Sequence, residues 1–486
     1  MYLGIDLGTS GLKLLLLDAQ HHVHASVDAA ISLQHPRPAW SEQHPSEWWQ
    51  ALESAIVQLR TAAPQAWPQV RAIGLSGQMH GAVVLGGDSE VLRPAILWND
   101  GRSGAQCLAL ERQVTHSRQI TGNLAMPGFT APKLLWLREH EPDVFKRAQK
   151  VLLPKDWLRL QLTGEMVSEM SDASGTLWLD VGQRRWSESM LSACGLDLSH
   201  MPRLVEGSEP SGTLRTTLAK QWGLSPTVVV AGGGGDNAAT AVGIGAVKPG
   251  QGFVSLGTSG VVFLVSDGYQ PAPELAVHAF AHALPARWHQ MSVMLSAASA
   301  FGWITQITGS ADEAQLAARV AELTPNRSAA APVFLPYLSG ERTPHNNPDA
   351  SGVFIGLRSE HTAADLGYAV MEGVTFGLMD GLRAMGQTEV SQVPLALVGG
   401  GARSDVWAQL LASGLGCPLH RPKNAHAAAA LGAARLAWLA DGGDEAEVCQ
   451  PLPLAQEFLP DASIGQTLTQ RYLRYRGLYP ALTNFF

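Results

Sequence analysis

The chain has few of the features that mark secreted, membrane-spanning or nucleic-acid-binding proteins. It carries four cysteines in 486 residues, scattered and without a C-x-x-C pair, which argues against a disulfide scaffold or a cysteine zinc site. No apolar run approaches the ~20 residues that cross a bilayer. Acidic residues outnumber basic ones, 42 to 34, and no basic cluster occurs, which argues against nucleic-acid or membrane partners. The first residues lack the basic flank of a secretion signal, so we expect a cytoplasmic protein.

What is present is a globular composition, with 46% hydrophobic and 16% charged residues. A chain of 486 residues is too long for one ordinary core. We therefore expect two large domains.

One short turn occurs twice in the chain. "DLGTSGLKLLLL" begins at Asp6, and "SLGTSGVVFLV" begins at Ser255, 249 residues later. Each copy lies between two apolar runs that are too short for helices, which favours a hairpin. A chance match of four residues is the alternative, but the agreement of the flanking strands favours two related halves.

Each half continues with strands that alternate with helices, which indicates α/β domains with mixed sheets. The first half predicts the order β-β-β-α-β, with a strand over 23–31, a helix from Pro45 and a glycine-containing loop at 76–81. The second half predicts helices at 363–385, 405–415, 425–439 and about 465–483, and a strand within 394–400. Proline and glycines interrupt the pattern at 243–252, so we expect domains at 1–245 and 246–486.

The two turns suit a polyphosphate ligand. Amide groups in a tight glycine turn point outward together and form a concavity for anionic oxygens, and the Thr and Ser hydroxyls add donors. A carboxylate at Asp6 would repel phosphate unless a cation lay between them, so we expect Asp6 beside Mg²⁺, through water. Ser255, at the start of the second copy, needs no ion and can contact phosphate directly. No Walker motif is present, and the glycines of "VGGGARS" at 398–404 do not fit a dinucleotide fingerprint.

A third glycine-rich stretch, "VVVAGGGGDNAATAVG" at 228–243, leads from a strand into a helix start. Asp236 at that point is either an N-cap or a general base that takes a proton from a hydroxyl nucleophile. Its position just before the domain boundary, near a cleft, favours the base. Trp98 ends another strand and suits stacking on a sugar. The polar segment 338–348 is either a cleft loop or a surface loop.

Together these segments resemble the FGGY carbohydrate kinases. "GIDLGTSGLK" and "SLGTSG" are similar to the two phosphate elements of that family, and "VGGGARS" to its adenosine element. "GFTAPKLLWLREH" at 128–140 and "GVFIGLRSEHTAADLGYAVMEG" at 352–373 follow the two family signatures. The resemblance covers nearly the whole chain and implies an actin-like ATPase fold, with two ribonuclease-H-like domains and a cleft between them.

The resemblance also implies the substrates. Shorter segments such as "SGQMHG", "SDASGT" and "LSGERTPHNN" resemble members that phosphorylate the 5-hydroxyl of D-xylulose with ATP and Mg²⁺. Another ketose, an alditol or a sugar acid is the alternative substrate, and an actin-like or chaperone-like ATPase the alternative class. The resemblance also admits a homodimer. One departure is the run of four glycines before Asp236 where relatives have three, which predicts a shifted strand end.

Site residues are carried over from the family one by one. Asp236 is the expected base and Asp6 the residue near the metal. Met79, His80, Trp98, Asp236 and Asn237 are the expected sugar contacts. The expected nucleotide contacts are Gly8, Thr9, Ser10, Lys13, Gly257, Thr258, Ser259, Gly400, Gly401 and Ala402.

Overall fold

The computed structural model describes residues 1–387 and 392–486. Two seven-stranded sheets and the helices that cover them make up most of this part of the chain. The strands are β1 (Tyr2–Leu7), β2 (Gly11–Leu17), β3 (Val23–Ala30), β4 (Glu42–Gln43), β5 (Ala72–Gly77), β6 (Val83–Leu85), β7 (Ala95–Ile96), β8 (Lys150–Leu152), β9 (Val167–Glu169), β10 (Leu179–Asp180), β11 (Arg185–Trp186), β12 (Arg203–Val205), β13 (Pro210–Thr213), β14 (Val229–Ala231), β15 (Gly234–Gly235), β16 (Gly252–Leu256), β17 (Gly260–Ser266), β18 (His278–Ala281), β19 (Trp288–Met294), β20 (Val333–Leu335), β21 (Val353–Ile355), β22 (Leu395–Val398), β23 (Leu419–Pro422) and β24 (Leu454–Phe458).

The helices are α1 (Pro45–Ala62), α2 (Gly104–Gln113), α3 (Ser117–Thr121), α4 (Thr130–His140), α5 (Pro142–Arg147), α6 (Pro154–Thr163), α7 (Met170–Ser174), α8 (Glu188–Ala193), α9 (Thr216–Trp222), α10 (Asp236–Ile244), α11 (Ala298–Ile307), α12 (Glu313–Ala321), α13 (Pro325–Ala330), α14 (Ala363–Ala384), α15 (Asp405–Leu415), α16 (Ala428–Ala440), α17 (Glu445–Val448) and α18 (Ala462–Leu482).

The two large sheets share one topology. In the first, the order β3-β2-β1-β5-β14 joins an antiparallel three-stranded meander to two parallel strands. In the second, β19-β17-β16-β22-β23 repeats that order and those directions. The two GTSG turns occupy equivalent positions, between β1 and β2 and between β16 and β17. The interpretation of two related halves is therefore confirmed.

Helices of both halves build the cores against these sheets. Trp48, Leu52 and Leu59 of α1 are buried against the first sheet, as their helical spacing predicts. Helix α14 packs against the second sheet and is buried on all sides from Gly367 to Leu378, where Val374 and Phe376 are inaccessible to solvent.

The alanine-rich helix α16 lies unusually close to the first sheet and to α10. A Cβ atom on Gly4 of β1 would lie 1.9 Å from the carbonyl oxygen of Ala430, and one on Gly74 of β5 would lie 1.8 Å from that of Ala433. Because nothing larger than glycine fits on the strands and small side chains line the helix, the backbones come into direct contact. This explains the alanine run and connects the second half of the chain to the first sheet.

Three details of the predicted elements need correction. A two-residue strand, β4, intervenes between β3 and α1, so the chain does not open as a simple β-β-β-α-β. The alanine-rich helix begins at Ala428, because residues 425–427 form a 3₁₀ turn. The last helix starts at Ala462, where the Asp461 side chain caps two amides. In the described residues, none of the helices combines the length and the apolar character needed to cross a bilayer.

Candidate active site

The first GTSG turn lies at the end of the β1–β2 hairpin and is closed by a hydrogen bond from the Gly8 amide to the Gly11 carbonyl (2.9 Å). Within residues 1–387 and 392–486, the amides of Thr9 and Ser10 have no hydrogen-bond partner. Two adjacent free amides in a glycine turn can bind an anionic oxygen, as the sequence predicted.

The hydroxyl of Thr9 is already engaged inside the protein. It donates to Gln78 Oε1 (3.1 Å) and accepts from the indole N–H of Trp98 (2.9 Å). Its proton is therefore directed at Gln78, and in this turn the free donors are the backbone amides and the exposed Ser10.

Lys13 lies on β2 directly opposite Asp6 of β1, so both side chains project from the same face of the sheet. The ammonium group pairs with the exposed carboxylate of Asp28 at 2.6 Å. An ion pair of this kind is weak and exchanges readily, so Lys13 can turn towards a phosphate.

The second GTSG turn is held from one side by the start of α11. The carbonyl oxygens of Gly257 and Thr258 accept hydrogen bonds from the amides of Ala298 and Ala297, both at 2.9 Å. In the described part of the chain, the amides of Gly257, Thr258 and Ser259 make no hydrogen bond, so this turn also presents unpaired donors.

The segment at 398–404, which resembles the adenosine element of the family, lies beside the second turn. Gly399 has a positive φ of 93°, and a Cβ atom there would lie 2.6 Å from the backbone of Leu256, so only glycine permits this approach. Gly400, Gly401 and Ala402 follow in a 3₁₀ turn. A cavity of about 900 Å³ opens next to them, between α11, α12 and α15. Its lining includes Gly302, Glu313 and Trp407 as well as Gly400 and Gly401.

Asp236 is the first residue of α10, and the N-cap is Gly235. The N-cap interpretation of Asp236 is therefore wrong. Its Oδ1 accepts hydrogen bonds from the amide (2.7 Å) and the side-chain Nδ2 (2.9 Å) of Asn237. In the described residues Oδ2 has no hydrogen-bond partner. Burial raises the pKa of Asp236 above the ordinary value for aspartate.

The four glycines before Asp236 form a one-residue bulge. Val229 and Val230 pair with Ala72 and Ile73 of β5, but Gly234 pairs with Ser76, one residue out of that register. Gly233 takes up the extra residue with a φ of 79°. The register therefore changes between β14 and β15, and Gly234 and Gly235 pair with β5 directly before Asp236.

Asp6 lies one strand away from this point. Its Oδ1 accepts a hydrogen bond from the Ser76 hydroxyl (2.9 Å), and Ser76 pairs with Asp6 on one side of β5 and with Gly234 on the other. Burial, with the nearby charge of Asp236, raises the pKa of Asp6 to about 6. In the described chain its Oδ2 has no partner. A carboxylate oxygen left free in a site that disfavours its charge fits a divalent cation.

The loop after β5 carries Met79 and His80. Met79 is buried, and a Cβ atom on Gly235 would lie 2.9 Å from its Cγ and Sδ, so this loop packs against the residue that precedes Asp236. The Nδ1–H of His80 donates to the carbonyl of Gly175 (2.7 Å). Because a carbonyl only accepts, Nε2 is left as an acceptor. Burial lowers the pKa of His80 to about 3, so the ring is neutral.

Residues of the first family signature hold the His80 backbone, a role that the sequence analysis did not assign. The Thr130 hydroxyl and the Lys133 ammonium donate to the His80 carbonyl at 3.0 and 2.9 Å. Lys133 is inaccessible to solvent, and burial lowers its pKa to about 7. The only sequence signal for this role of Thr130 and Lys133 was that they belong to the family signature at 128–140.

Trp98 is 44% exposed and stands beside the first phosphate turn. Its neighbour Asp100 is buried, where it accepts the Ser41 amide (2.6 Å) and pairs with Arg102 (2.7 Å). Asp100 is therefore a structural residue, and the exposed indole of Trp98 is available to a ligand. The polar segment 338–348 is anchored to the second sheet, because the Thr343 amide donates to the carbonyl of Val293 on β19 (3.1 Å) and Glu341 Oε1 accepts the amide of Leu295 (3.1 Å). Glu341 and Thr343 are buried, so the segment is not a surface loop.

The site therefore combines two turns with unpaired amides on related halves of the chain, two carboxylates with a free oxygen on the first half, Asp6 and Asp236, and a cavity beside the second turn. This defines a two-domain phosphotransferase of the actin-like ATPase class. Models of the FGGY family of carbohydrate kinases match the chain, the N-terminal domain over residues 1–243 and the C-terminal domain over residues 252–440. The chain belongs to the FGGY family of carbohydrate kinases.

Individual relatives agree with this assignment. The chain is 51% identical over 484 residues to the xylulose kinase of Escherichia coli (strain K12), covering 99% of each chain. It is 52% identical over 463 residues to the xylulose kinase of Klebsiella pneumoniae, covering 95% of each. The crystal structure of a xyloylose kinase from Brucella ovis superposes with a TM-score of 0.96 at 48% identity, covering 100% of each chain. The protein is a sugar kinase that uses ATP.

Proposed function

We propose that the protein transfers the γ-phosphoryl group of ATP to the 5-hydroxyl of D-xylulose. The observation that carries this proposal is the position of Asp236, which begins α10 directly after β15, across β5 from Asp6 and next to Gly235, which packs against Met79. The high identity to the two xylulose kinases over almost the full chain supports the choice of sugar.

Asp236 is the proposed general base. Asn237 holds Oδ1, so Oδ2 remains to accept the proton of the 5-hydroxyl as its oxygen attacks the γ-phosphorus. The bond to the bridging oxygen of ATP breaks in line with this attack, and ADP leaves. The raised pKa of Asp236 increases its affinity for the proton.

The sugar is proposed to lie against Met79, His80, Trp98 and Asn237. The neutral His80 ring would accept a hydrogen bond from a sugar hydroxyl at Nε2, since its Nδ1–H already donates to the Gly175 carbonyl. The indole of Trp98 offers an exposed aromatic face for stacking.

The nucleotide is proposed to span both domains. The adenosine would occupy the cavity beside Gly400, Gly401 and Ala402, and the phosphates would bind the free amides of the turns at Gly257–Ser259 and Gly8–Ser10, with Lys13 nearby. Asp6 would hold Mg²⁺ through water, and the bound ion would supply positive charge to the phosphoryl oxygens. Fixed amides aimed at a developing negative charge stabilise the transition state without reorganisation.

We also propose that residues 1–245 form the sugar-binding domain and 246–486 the nucleotide-binding domain. The gap between α10, which ends at Ile244, and β16, which begins at Gly252, supports this boundary. Closure of the two domains should exclude water from the γ-phosphate. We expect small-angle scattering to report a smaller radius of gyration when D-xylulose and a non-hydrolysable ATP analogue are added together.

The experiment that tests the function is ADP release from ATP and Mg²⁺ with D-xylulose, D-ribulose, L-ribulose, glycerol and gluconate in turn, against a control without sugar. We expect the rate to depend strongly on D-xylulose, and the product to carry its phosphate on C5 by ³¹P–¹H NMR. A faster rate with another sugar would show that this sugar, and not D-xylulose, is the substrate, and the protein would remain a sugar kinase. An equal, slow rate in every tube would refute the proposed sugar transfer.

A further inference from the structure

The base proposed above depends on a backbone segment that has no side chains of its own. Residues 232–235 are all glycine, and Asp236 follows directly. Glycine loses the most conformational freedom on folding, so such a segment needs external contacts to hold one conformation. The position of Asp236 is therefore set by residues elsewhere in the chain.

The amide of Gly235 donates to the hydroxyl of Ser171 on α7, at 3.0 Å. This contact joins residues 64 positions apart, and it is made by the residue next to Asp236. Ser171 is itself inaccessible to solvent. Its hydroxyl proton is directed at the carboxylate of Glu169, 2.8 Å from Oε2 and 3.0 Å from Oε1, which leaves an oxygen lone pair for the Gly235 amide.

Glu169 is fixed in turn from three directions. Its carboxylate accepts the amides of Ser171 (2.7 Å) and Asp172 (2.9 Å) at the start of α7. The ammonium of Lys155 lies 3.2 Å from Oε1, and both side chains are fully buried. The orientation of the Ser171 hydroxyl is therefore fixed by a fully buried ion cluster.

The other end of the glycine run is held by the same cluster. Arg159, also fully buried, donates to the carbonyl of Gly232 and pairs with Asp156 at 2.7 Å. Lys155 pairs with Asp156 at 2.8 Å and with Asp172 at 3.0 Å. A cluster of two cations and three carboxylates thus reaches both ends of the glycine run, directly at Gly232 and through Ser171 at Gly235.

A cluster of this kind is a poor way to stabilise a fold. Removing several charges from water costs about as much as their mutual attraction returns, and apolar residues of similar volume often stabilise a protein more. The cluster contacts the glycine run through two groups, Ser171 and Arg159, one at each end. Such a geometry is useful where a particular backbone position matters more than stability.

We propose that Ser171 is a positioning residue for Asp236, and that Glu169 and Lys155 act by orienting its hydroxyl. This inference rests on Asp236 being the general base. A displacement of a reacting group by about 1 Å can cost about 10²-fold in rate. Loss of the Ser171 contact should therefore appear in the chemical step and much less in ground-state binding.

The test compares Ser171→Ala with Ser174→Ala, a matched control on the same helix. Ser174 is equally buried, and its hydroxyl likewise accepts a backbone amide, that of Ala281 at 3.0 Å, but not one that leads to Asp236. Steady-state kinetics with D-xylulose and ATP and the thermal midpoint are measured for both variants, and for Asp236→Asn. Ser171→Cys, of similar volume and a weaker acceptor, replaces Ser171→Ala if the alanine variant does not fold.

We expect Ser171→Ala to lower kcat by about tenfold or more, with both KM values within about threefold of wild type. Ser174→Ala should lose similar thermal stability and keep kcat within about twofold. Equal kcat in the two variants, with Asp236→Asn inactive, overturns the positioning role alone. Full turnover in Asp236→Asn would show that Asp236 is not the general base, and would also refute the positioning role of Ser171.

Discussion

The indole N–H of Trp98 donates to the hydroxyl of Thr9 at 2.9 Å, and this contact joins a residue of the proposed sugar site to the first GTSG turn. The connection continues inward. Thr9 donates to Gln78, and Gln78 Nε2 donates to Oε1 of the fully buried Gln43 (2.9 Å), whose own Nε2 donates back to the Thr9 carbonyl (2.6 Å). The turn and Trp98 are thus parts of one hydrogen-bonded unit.

This arrangement separates two roles of Trp98. Trp98→Ala removes both the aromatic face and the N–H donor, and we expect it to raise KM for D-xylulose about tenfold, since a stacking contact contributes ~1 kcal/mol or more. Trp98→Phe keeps a ring and removes only the donor, so KM for D-xylulose should change by less than about threefold. Steady-state kinetics with varied D-xylulose checks both. Equal effects of the two variants would assign the role to the hydrogen bond instead of the ring.

Asp236→Asn isolates the basicity of the proposed base. The amide is nearly isosteric and its oxygen can still accept the Asn237 amide, so the geometry at the start of α10 should persist. We expect kcat to fall by about 10² to 10⁴-fold, with KM for D-xylulose little changed. Asp28→Asn, which alters only an exposed partner of Lys13, is the control and should retain kcat. A kcat within about tenfold of wild type in Asp236→Asn would exclude base catalysis by this residue.

Much of the fold followed from local sequence. The hairpins around both GTSG turns were predictable because a glycine turn separated two apolar runs, and α15 was predicted with its observed bounds, Asp405–Leu415. The N-cap interpretation of Asp236 failed for a local reason of another kind. Gly235 occupies the cap, so the Asp236 carboxylate bonds the next amide instead.

The supporting contacts of the site could not be read from the sequence. Ser171 meets Gly235 across 64 residues, and Lys133 meets the His80 carbonyl across 53. Such contacts depend on how helices pack against the sheet, which periodicity does not determine. Gln43 was visible only as a residue before a helix start, although it accepts and donates four hydrogen bonds in the core.

The neutral state of His80 leads to a prediction about pH. Burial lowers its pKa to about 3, so the imidazole remains uncharged from pH 5 to 8 and Nε2 stays an acceptor throughout. We therefore expect that titration of His80 produces no inflection near pH 6.5 in a plot of KM for D-xylulose against pH. The wild type and His80→Ala should show the same pH dependence in this range. The variant itself should raise KM by about 10- to 100-fold, since leaving a buried polar partner unsatisfied costs ~1–3 kcal/mol. A wild-type inflection near 6.5 that disappears in the variant would mean that His80 titrates in the free enzyme.

Glu341 gives a prediction about stability, because its carboxyl is buried and Oε2 has no partner among the described residues. Burial raises its pKa from 4.5 to about 8. Between these values the folded state keeps the proton and the unfolded state loses it, so the folded state binds more protons. The unfolding free energy therefore falls as pH rises, by about 1.4 kcal/mol per pH unit from this group alone.

Glu341→Gln should remove that slope while keeping the contacts of Oε1 with the amides of Leu295 and Arg342. Chemical denaturation of both proteins at pH 5, 6, 7 and 8 checks this, and the difference between them cancels every other titrating group. The variant should gain stability relative to wild type with each step in pH, because glutamine has no charge to bury. Glu360→Gln, which removes an exposed carboxylate, should run parallel to wild type. If the Glu341→Gln and wild-type curves also run parallel, Glu341 is ionised in the folded protein, and the loop at 338–348 must supply it with a partner.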